Sequence, residues 1–436
     1  MARASLSFRI SSFWLSGVDA RPFASTAAAN AALAAIGLLT GMLAARLLGA
    51  EGRGQLAAAQ AWPMFLATLG GFGLTEAIAY FVARSPSRAR EALATGLLLA
   101  VPFILAAVLA GEWLLPLILR GQTLEVRQVA TQCLVLVPLM TLSAAPSQAL
   151  RGVGRHQAWN LLRLVTPLPW LATLVAVRGT NYATVPTLAL AFIGATALAG
   201  LVTHVHAWRT LGGSPAPGGS LVRPMMAYSA PTIAATIPHW LNLKLDQLIV
   251  IALLDARALG LYVVAIAWSS AARPLAEVVA LNAVPALAGA KDGWQRARLV
   301  YRAGVVAAIG TSVLLLAATP TLLPSIFGAE FRAAIPVALV LVLAGAVEVT
   351  NVVGAECLRG LGRPRAVLLA ECVGLAVTVV ALPALVLKLG IIGAACASLL
   401  SYSAILVAQR QLMRSPLEET PLEFAARIPP KLGPVA

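Results

Sequence analysis

Long apolar runs with very few charges follow one another from residue 26 to residue 413, and nothing else in the chain limits the fold as tightly. A helix that crosses a bilayer needs about 20 mostly apolar residues. Candidate spans are 26–48, 56–83, 92–119, 128–150, 157–177, 184–208, 226–254, 259–288, 301–327, 333–358, 366–388 and 391–413, with short connections. Pro167 and Pro169 interrupt the fifth. Such breaks are tolerated where neighbouring helices or cavity water satisfy the freed backbone groups. Composition agrees: of 436 residues, 59% are hydrophobic and 11% charged, and mean hydropathy is +0.85. A soluble domain carries about 25% charge, so there are too few charges here to cover a water-facing surface. The fold class is an all-α polytopic membrane protein of about 12 transmembrane helices.

The chain is basic, with 32 Lys+Arg against 17 Asp+Glu. No nucleic-acid motif or basic–aromatic interleaving accompanies the excess, so no nucleic-acid partner is expected. Lys244 and Arg273 fall inside spans. Of the rest, 22 lie on the side of Arg84, Arg151 and Arg359, and 8 on the side of Arg46, Arg120 and Arg332. Cationic loops stay in the cytoplasm, which makes the first side cytoplasmic and places both termini inside a bacterial inner membrane. Residues Met1 to Pro22 lack the apolar core of a cleaved signal peptide. Cys133, Cys357, Cys372 and Cys396 sit in apolar stretches without metal or disulfide spacing, so neither metal nor cofactor is expected.

Leu150-Arg-Gly-Val-Gly-Arg155 recurs as Leu358-Arg-Gly-Leu-Gly-Arg363, 208 positions later. Gly54 to Trp62 is echoed by Gly260 to Trp268 at an offset of 206. Near-equal offsets mean two six-span halves of one topology, related by an axis along the membrane normal. The expected organisation is a cytoplasmic segment 1–25, a lobe 26–210, a linker 211–223, a lobe 224–413 and a cytoplasmic tail 414–436. The Gly-, Ser- and Pro-rich stretch 211–220 reads as a flexible, hinge-like connection.

Charges inside spans are expensive, so each needs a partner or a wet cavity. His239, Asn242 and Asp246 share one helical face of the seventh span. Lys244 is about 200° around the helix from Asp246, so its counter-charge lies on another helix or in a substrate. Arg273 and Glu277 are four apart and able to pair, as are Glu76 and Tyr80; Glu348 and Asn351 are three apart. Asn30 opens the first span and Arg46 lies near its outer end, where snorkelling to the interface is the plainer role. Glu356 and Glu371 read as interfacial partners of the Arg359–Arg365 loop. No phosphate-cradling loop, paired catalytic carboxylates or long extramembrane loop is visible, so an enzyme or an ATP-driven pump is not expected.

Several segments resemble the polysaccharide flippases of the multidrug/oligosaccharidyl-lipid/polysaccharide exporter superfamily. They are Arg46-Leu-Leu-Gly-Ala-Glu-Gly-Arg-Gly54, Gly70-Gly-Phe-Gly73 with Ala79-Tyr80, and Leu241-Asn-Leu-Lys-Leu-Asp246 with Gly260-Leu-Tyr262. The two Leu-Arg-Gly-x-Gly-Arg loops and Gly390-Ile-Ile-Gly393 with Ser398 to Tyr402 belong to the same set. The resemblance runs from about Ser25 to Arg414 and implies two six-helix bundles around a V-shaped cavity. It implies transport of an undecaprenyl-pyrophosphate-linked oligosaccharide for O-antigen, capsule or exopolysaccharide assembly. The implied partners are membrane lipids and the pathway's polymerase and export machinery. On that reading Lys244, Arg273, Arg46, Asn242 and Asn30 line the cavity for an anionic head group. Asp246, Glu76, Glu277 and Glu348 are the candidates for reading an ion gradient. The alternatives are a drug/cation antiporter, which Lys244 and Arg273 would disfavour, and a lipid II flippase. A membrane glycosyltransferase or polymerase ranks below all of these.

Overall fold

A backbone in hydrocarbon must satisfy its own hydrogen bonds, and this chain does so with helices. The computed structural model describes residues 20–273 and 293–414, and no strand occurs among them. Helix α1 (Ala20–Gly70) bends at Gly49 (φ 68), so it holds the first expected span and most of the second, which α2 (Leu74–Arg84) completes. Then come α3 (Ala89–Ile118), the pair α4 (Leu124–Cys133) and α5 (Leu136–Gly152), and the pair α6 (His156–Leu162) and α7 (Pro167–Ala176). The last pair fills the interrupted fifth span. Pro167 and Pro169, which carry no amide proton, fall in the first turn of α7, where none is needed. After α8 (Val185–Thr210) follow α9 (Gly219–Leu253), α10 (Ala256–Ser269), α11 (Gly293–Phe327), α12 (Ile335–Gly360) and α13 (Pro364–Arg414). Helix α13 bends at Gly390 (φ 59) and contains the last two expected spans.

Among the described residues, seven helical segments are long and apolar enough to cross a membrane. The protein is thus an all-helical, multi-pass membrane protein. Helix α9 is not one of the seven because it carries His239, Asn242, Lys244 and Asp246, while α10 is apolar and fails by length alone. Lipid-facing positions are apolar instead: Leu105, Leu109, Leu201 and Leu314 are exposed.

The repeated Leu-Arg-Gly-x-Gly-Arg segments adopt one conformation. Each ends a helix with the sixth residue's N–H donating to the first residue's carbonyl, Arg155 to Leu150 (3.0 Å) and Arg363 to Leu358 (2.8 Å). Within each turn Gly154 donates to Arg151 and Gly362 to Arg359, both at 3.0 Å. The fifth residue must be left-handed to close this turn, and Gly154 and Gly362 have φ of 77 and 76.

The second echo has a structural meaning too. Helices α1 and α10 cross with Gly54 packed on the carbonyl of Ala256 and Gly260 packed on the carbonyl of Ala50. The contact is reciprocal, and each residue lies 206 positions from its counterpart. A Cβ at Gly54 would fall 1.6 Å from the Ala256 oxygen, and one at Gly260 1.8 Å from the Ala50 oxygen. Only glycine lets these backbones approach so closely. Trp62 and Trp268, the last residues of the echo, both turn their indole N–H inward, to the Gly111 carbonyl (3.1 Å) and the Thr319 hydroxyl (2.9 Å).

Around this crossing, polar contacts tie the first half of the sequence to the second. Arg46 donates to the carbonyls of Ser325 (2.5 Å) and Ile326 (2.8 Å) near the end of α11. The Glu330 carboxylate accepts from the Ala50 N–H (3.0 Å). Gln122 donates to Ile251 (3.2 Å) and Leu254 (3.3 Å) at the end of α9.

At the opposite ends of the helices both ends of the segment 211–220 are bonded to the start of α3, while residues 213–217 between them are exposed. Arg90 N–H donates to the Gly212 carbonyl (2.9 Å) and Gly218 N–H to the Thr95 hydroxyl (2.9 Å). Arg88, paired with Glu91 (2.6 Å), donates to Ser220 (3.2 Å). The segment is thereby strapped to the start of α3.

Candidate functional site

Three cavities lie between α1, α9, α10, α12 and α13 and share walls. The largest, about 520 Å3, is bounded by Asn30 and Leu33 to Leu38 of α1, by Arg163, and by Ser270 and Arg273 beyond α10. Ser270 and Arg273 also line the second, of about 360 Å3, together with Lys244, Asp246, Gln247, Glu348 and Ser398. His239, Glu348 and Tyr402 pass from there into a third of about 130 Å3, which Asn242, Asn351 and Glu371 close. The string therefore runs from the first half of the sequence deep into the second.

Its charges are organised by partner. Arg273 donates to Glu348 of α12 at 2.5 Å. Asp246 is buried, and its carboxylate accepts from the Tyr262 hydroxyl (2.6 Å), the Gln247 N–H (2.7 Å) and the Ser398 hydroxyl (3.5 Å). Three donors around one carboxylate offset its loss of water. Lys244, half-buried on the second cavity's wall, makes no hydrogen bond or ion pair among the described residues. An ammonium in a bilayer costs about 2.5–3.5 kcal/mol on insertion scales, so an aqueous cavity is what makes Lys244 tolerable.

On the side of the first half, Arg163 donates to the Asn30 amide oxygen (2.9 Å), and its guanidinium lies 4.7 Å from the centre of the Trp159 ring. Arg151 lies 5.6 Å from that ring and donates to Gln148 (3.2 Å), which in turn donates to Glu76 (3.3 Å). Glu76, Tyr80 and Arg84 follow each other at four-residue intervals along α2, opposite its buried face of Leu74, Ile78 and Val82. Tyr80 accepts from Arg84 (3.0 Å) and stacks on Tyr228 of α9, with ring centres 4.6 Å apart.

Most of the expected site residues come together. Lys244, Asn242, Asp246, Arg273, Glu348 and Asn30 all line the cavity string or close it. Arg46 does not: it engages the end of α11 at the opposite end of α1. Glu76 belongs to the polar strip on α2 and is separate from Asp246. Glu277 lies outside the described residues; among those described, Arg273 pairs with Glu348.

Two contributors were not foreseen as site residues. Arg163 reads from the sequence as one more cytoplasmic cation; its four-residue spacing from Trp159 inside an interrupted span was the available signal. Glu371 was assigned to the Arg359–Arg365 loop, yet it turns inward. Its carboxylate accepts from Asn242 (3.0 Å) and sits 3.1 Å from His239 Nδ1, while Glu356 pairs with Arg359. Its helix starts at Pro364, one residue after the Arg363 turn, and that register points position 371 at α9.

The fold is shared with solved transporters. A structure titled lipid II flippase MurJ, in an inward closed conformation, superposes with a TM-score of 0.72 at 13% identity, covering 89% of this chain and 87% of that one. An inward-facing multidrug resistance MATE family transporter of the MOP superfamily gives 0.67 at 12% identity over 89% and 98%. An outward-facing one gives 0.62 at 12% identity over 92% and 97%. At such identities the likeness concerns the fold alone. No curated protein matches the chain in sequence. A family profile does: the one described as polysaccharide biosynthesis protein matches residues 20–290, which include α1 to α10, the Arg163 and Arg273 cavity and Lys244. The chain belongs to the polysaccharide biosynthesis protein family.

Proposed function

We propose that the protein is a flippase that moves an undecaprenyl-pyrophosphate-linked oligosaccharide from the cytoplasmic to the periplasmic leaflet of the inner membrane. Two six-helix lobes, 26–210 and 224–413, would do so by alternating access. The observation that carries the reading is the pair of guanidiniums, Arg163 and Arg273, facing one cavity of about 520 Å3 from the two halves, with Lys244 beside it. Cations brought from both halves suit a polyanion that bridges them, and guanidinium is the group best matched to phosphate oxygens. A pyrophosphate cannot cross about 30 Å of hydrocarbon unaided, whereas the lipid tail can remain in the bilayer. The charged residues on the largest cavity, Arg163 and Arg273, are both cationic, which disfavours an organic cation there and with it the drug antiporter.

With the arginine-rich side taken as cytoplasmic and both termini inside, the Gly54–Gly260 crossing becomes the closed periplasmic end and the cavities face inward. Glu348 is then the carboxylate best placed for coupling. A phosphate that recruits Arg273 must compete with it, and a freed Glu348 can take up a cation. Asp246, held by three donors, is less available. A lipid II flippase is the second reading, favoured by the fold likeness to MurJ; the two cargoes share the diphosphate and differ in the sugar.

The test is flipping of a fluorescent undecaprenyl-diphosphoryl oligosaccharide in proteoliposomes that contain the full chain. Wild-type protein is expected to expose the probe to an external quencher, and Lys244→Ala to slow this about tenfold, the scale of one lost charge-assisted contact. A full rate in Lys244→Ala would remove Lys244 from the site, and no flipping by wild type would remove the function.

A further inference from the structure

The diphosphate cavity accounts for Arg163, Arg273 and Lys244, but not for the polar strip that continues from Arg163 along the first half. Three helices supply it, each with polar residues at helical spacing. Helix α2 gives Glu76, Tyr80 and Arg84, α5 gives Gln148 and Arg151, and the α6 region gives Trp159 and Arg163. These faces are joined side chain to side chain, Gln148 to Glu76 at 3.3 Å and Arg151 over Trp159 at 5.6 Å. Tyr228 of α9, the helix that bears Lys244, packs on Tyr80 at 4.6 Å. The strip therefore belongs to the space between the halves. The lipid-facing surface of the first half is elsewhere, on Leu98, Leu105, Leu109 and Leu201 of α3 and α8.

We propose that this strip, from Glu76 through Gln148 to Trp159, is a saccharide-binding subsite. It rests on the lipid-linked reading above and deepens it by assigning the sugar portion of the cargo to the first half of the chain. Sugar hydroxyls both donate and accept, and they occur in vicinal pairs that suit a carboxylate, an amide or a guanidinium. The strip offers all three. Glu76, Arg84 and Arg151 are exposed, and Gln148 is half-buried with both a donor and an acceptor between them. Tyr80 and Tyr228 add a ring surface with hydroxyl edges, suited to the apolar face of a pyranose. Trp159 acts as a positioning residue, since it holds the guanidiniums of Arg151 and Arg163 at 5.6 and 4.7 Å and so links the sugar strip to the diphosphate cavity. Three guanidiniums against one carboxylate exclude a cationic cargo here as well.

The experiment compares two probes, undecaprenyl diphosphate and an undecaprenyl-diphosphoryl disaccharide of two hexoses, on the purified full chain by native mass spectrometry. Glu76→Gln and Gln148→Ala are each expected to weaken the disaccharide probe about tenfold and to leave the sugar-free lipid within about twofold. Arg273→Ala is expected to weaken both probes. Glu76→Gln is nearly isosteric, and an unchanged unfolding midpoint separates a binding loss from a folding loss. Equal losses for both probes would overturn the proposal by making the strip a head-group site. No loss in either variant would overturn it by making the strip a helix-to-helix network. If wild type bound neither probe, the lipid-linked reading itself would fall, and this subsite with it.

Discussion

Single residues decide the charge pattern of the cavity, and they were unevenly legible. Lys244, Arg273 and Asn30 could be picked out because a polar residue inside a span is costly and so needs a wet neighbour or a partner. Which partner was not legible. Arg273 pairs with Glu348, 75 positions away, a contact that no local spacing announces, while Glu277 lies outside the described residues. Arg163 was hidden because it sits near a span end, where cations are ordinary. The pair Arg273–Glu348 gives a prediction at this scale. If Arg273 holds the head group and Glu348 only poises it, Arg273→Ala lowers probe flipping about a hundredfold and Glu348→Gln by about tenfold or less, given about 1.5–3 kcal/mol per charged hydrogen bond. Equal losses, measured in the same proteoliposomes, would make the pair structural.

At the scale of elements, the repeat was legible as spelling and its purpose only in three dimensions. The Arg-Gly-x-Gly-Arg echo repeats because the same helix ending is built twice, with Gly154 and Gly362 in the left-handed position. The Gly54 and Gly260 echo repeats because the two copies touch each other. The strap before α9 was legible only as composition. Gly and Ser content suggests freedom, but Arg88, Arg90 and Thr95 hold the segment by specific bonds that no composition encodes. The crossing itself can be tested. Gly260→Leu forces α1 and α10 apart and costs about 1–3 kcal/mol of packing, so the thermal midpoint of the purified protein falls. Gly310→Leu, on α11 where nothing lies within 4 Å of an added Cβ, leaves it unchanged. An unaltered midpoint in Gly260→Leu would mean that the crossing does not hold the halves together.

For the whole molecule, the class was legible from charge scarcity alone, and the described helices follow the order of the expected spans, of which the eighth, 259–288, is described only as far as residue 273. Hydropathy is least informative for α9, because a helix facing a cavity inside a membrane protein carries the polar residues that lower its score. The architecture joins the halves by polar contacts around Arg46, Glu330 and Gln122, while Arg163 and Arg359 stand on cavity walls, an arrangement that the proposed loading from the cytoplasm would require. The most direct test of that account is to extract and size undecaprenyl-linked glycans from cells with and without this protein. A completed repeat unit should accumulate in its absence and clear when the wild-type chain, but not Arg273→Ala, is restored. An unchanged lipid-linked pool would contradict the flippase, and accumulated lipid II would reassign its cargo to peptidoglycan.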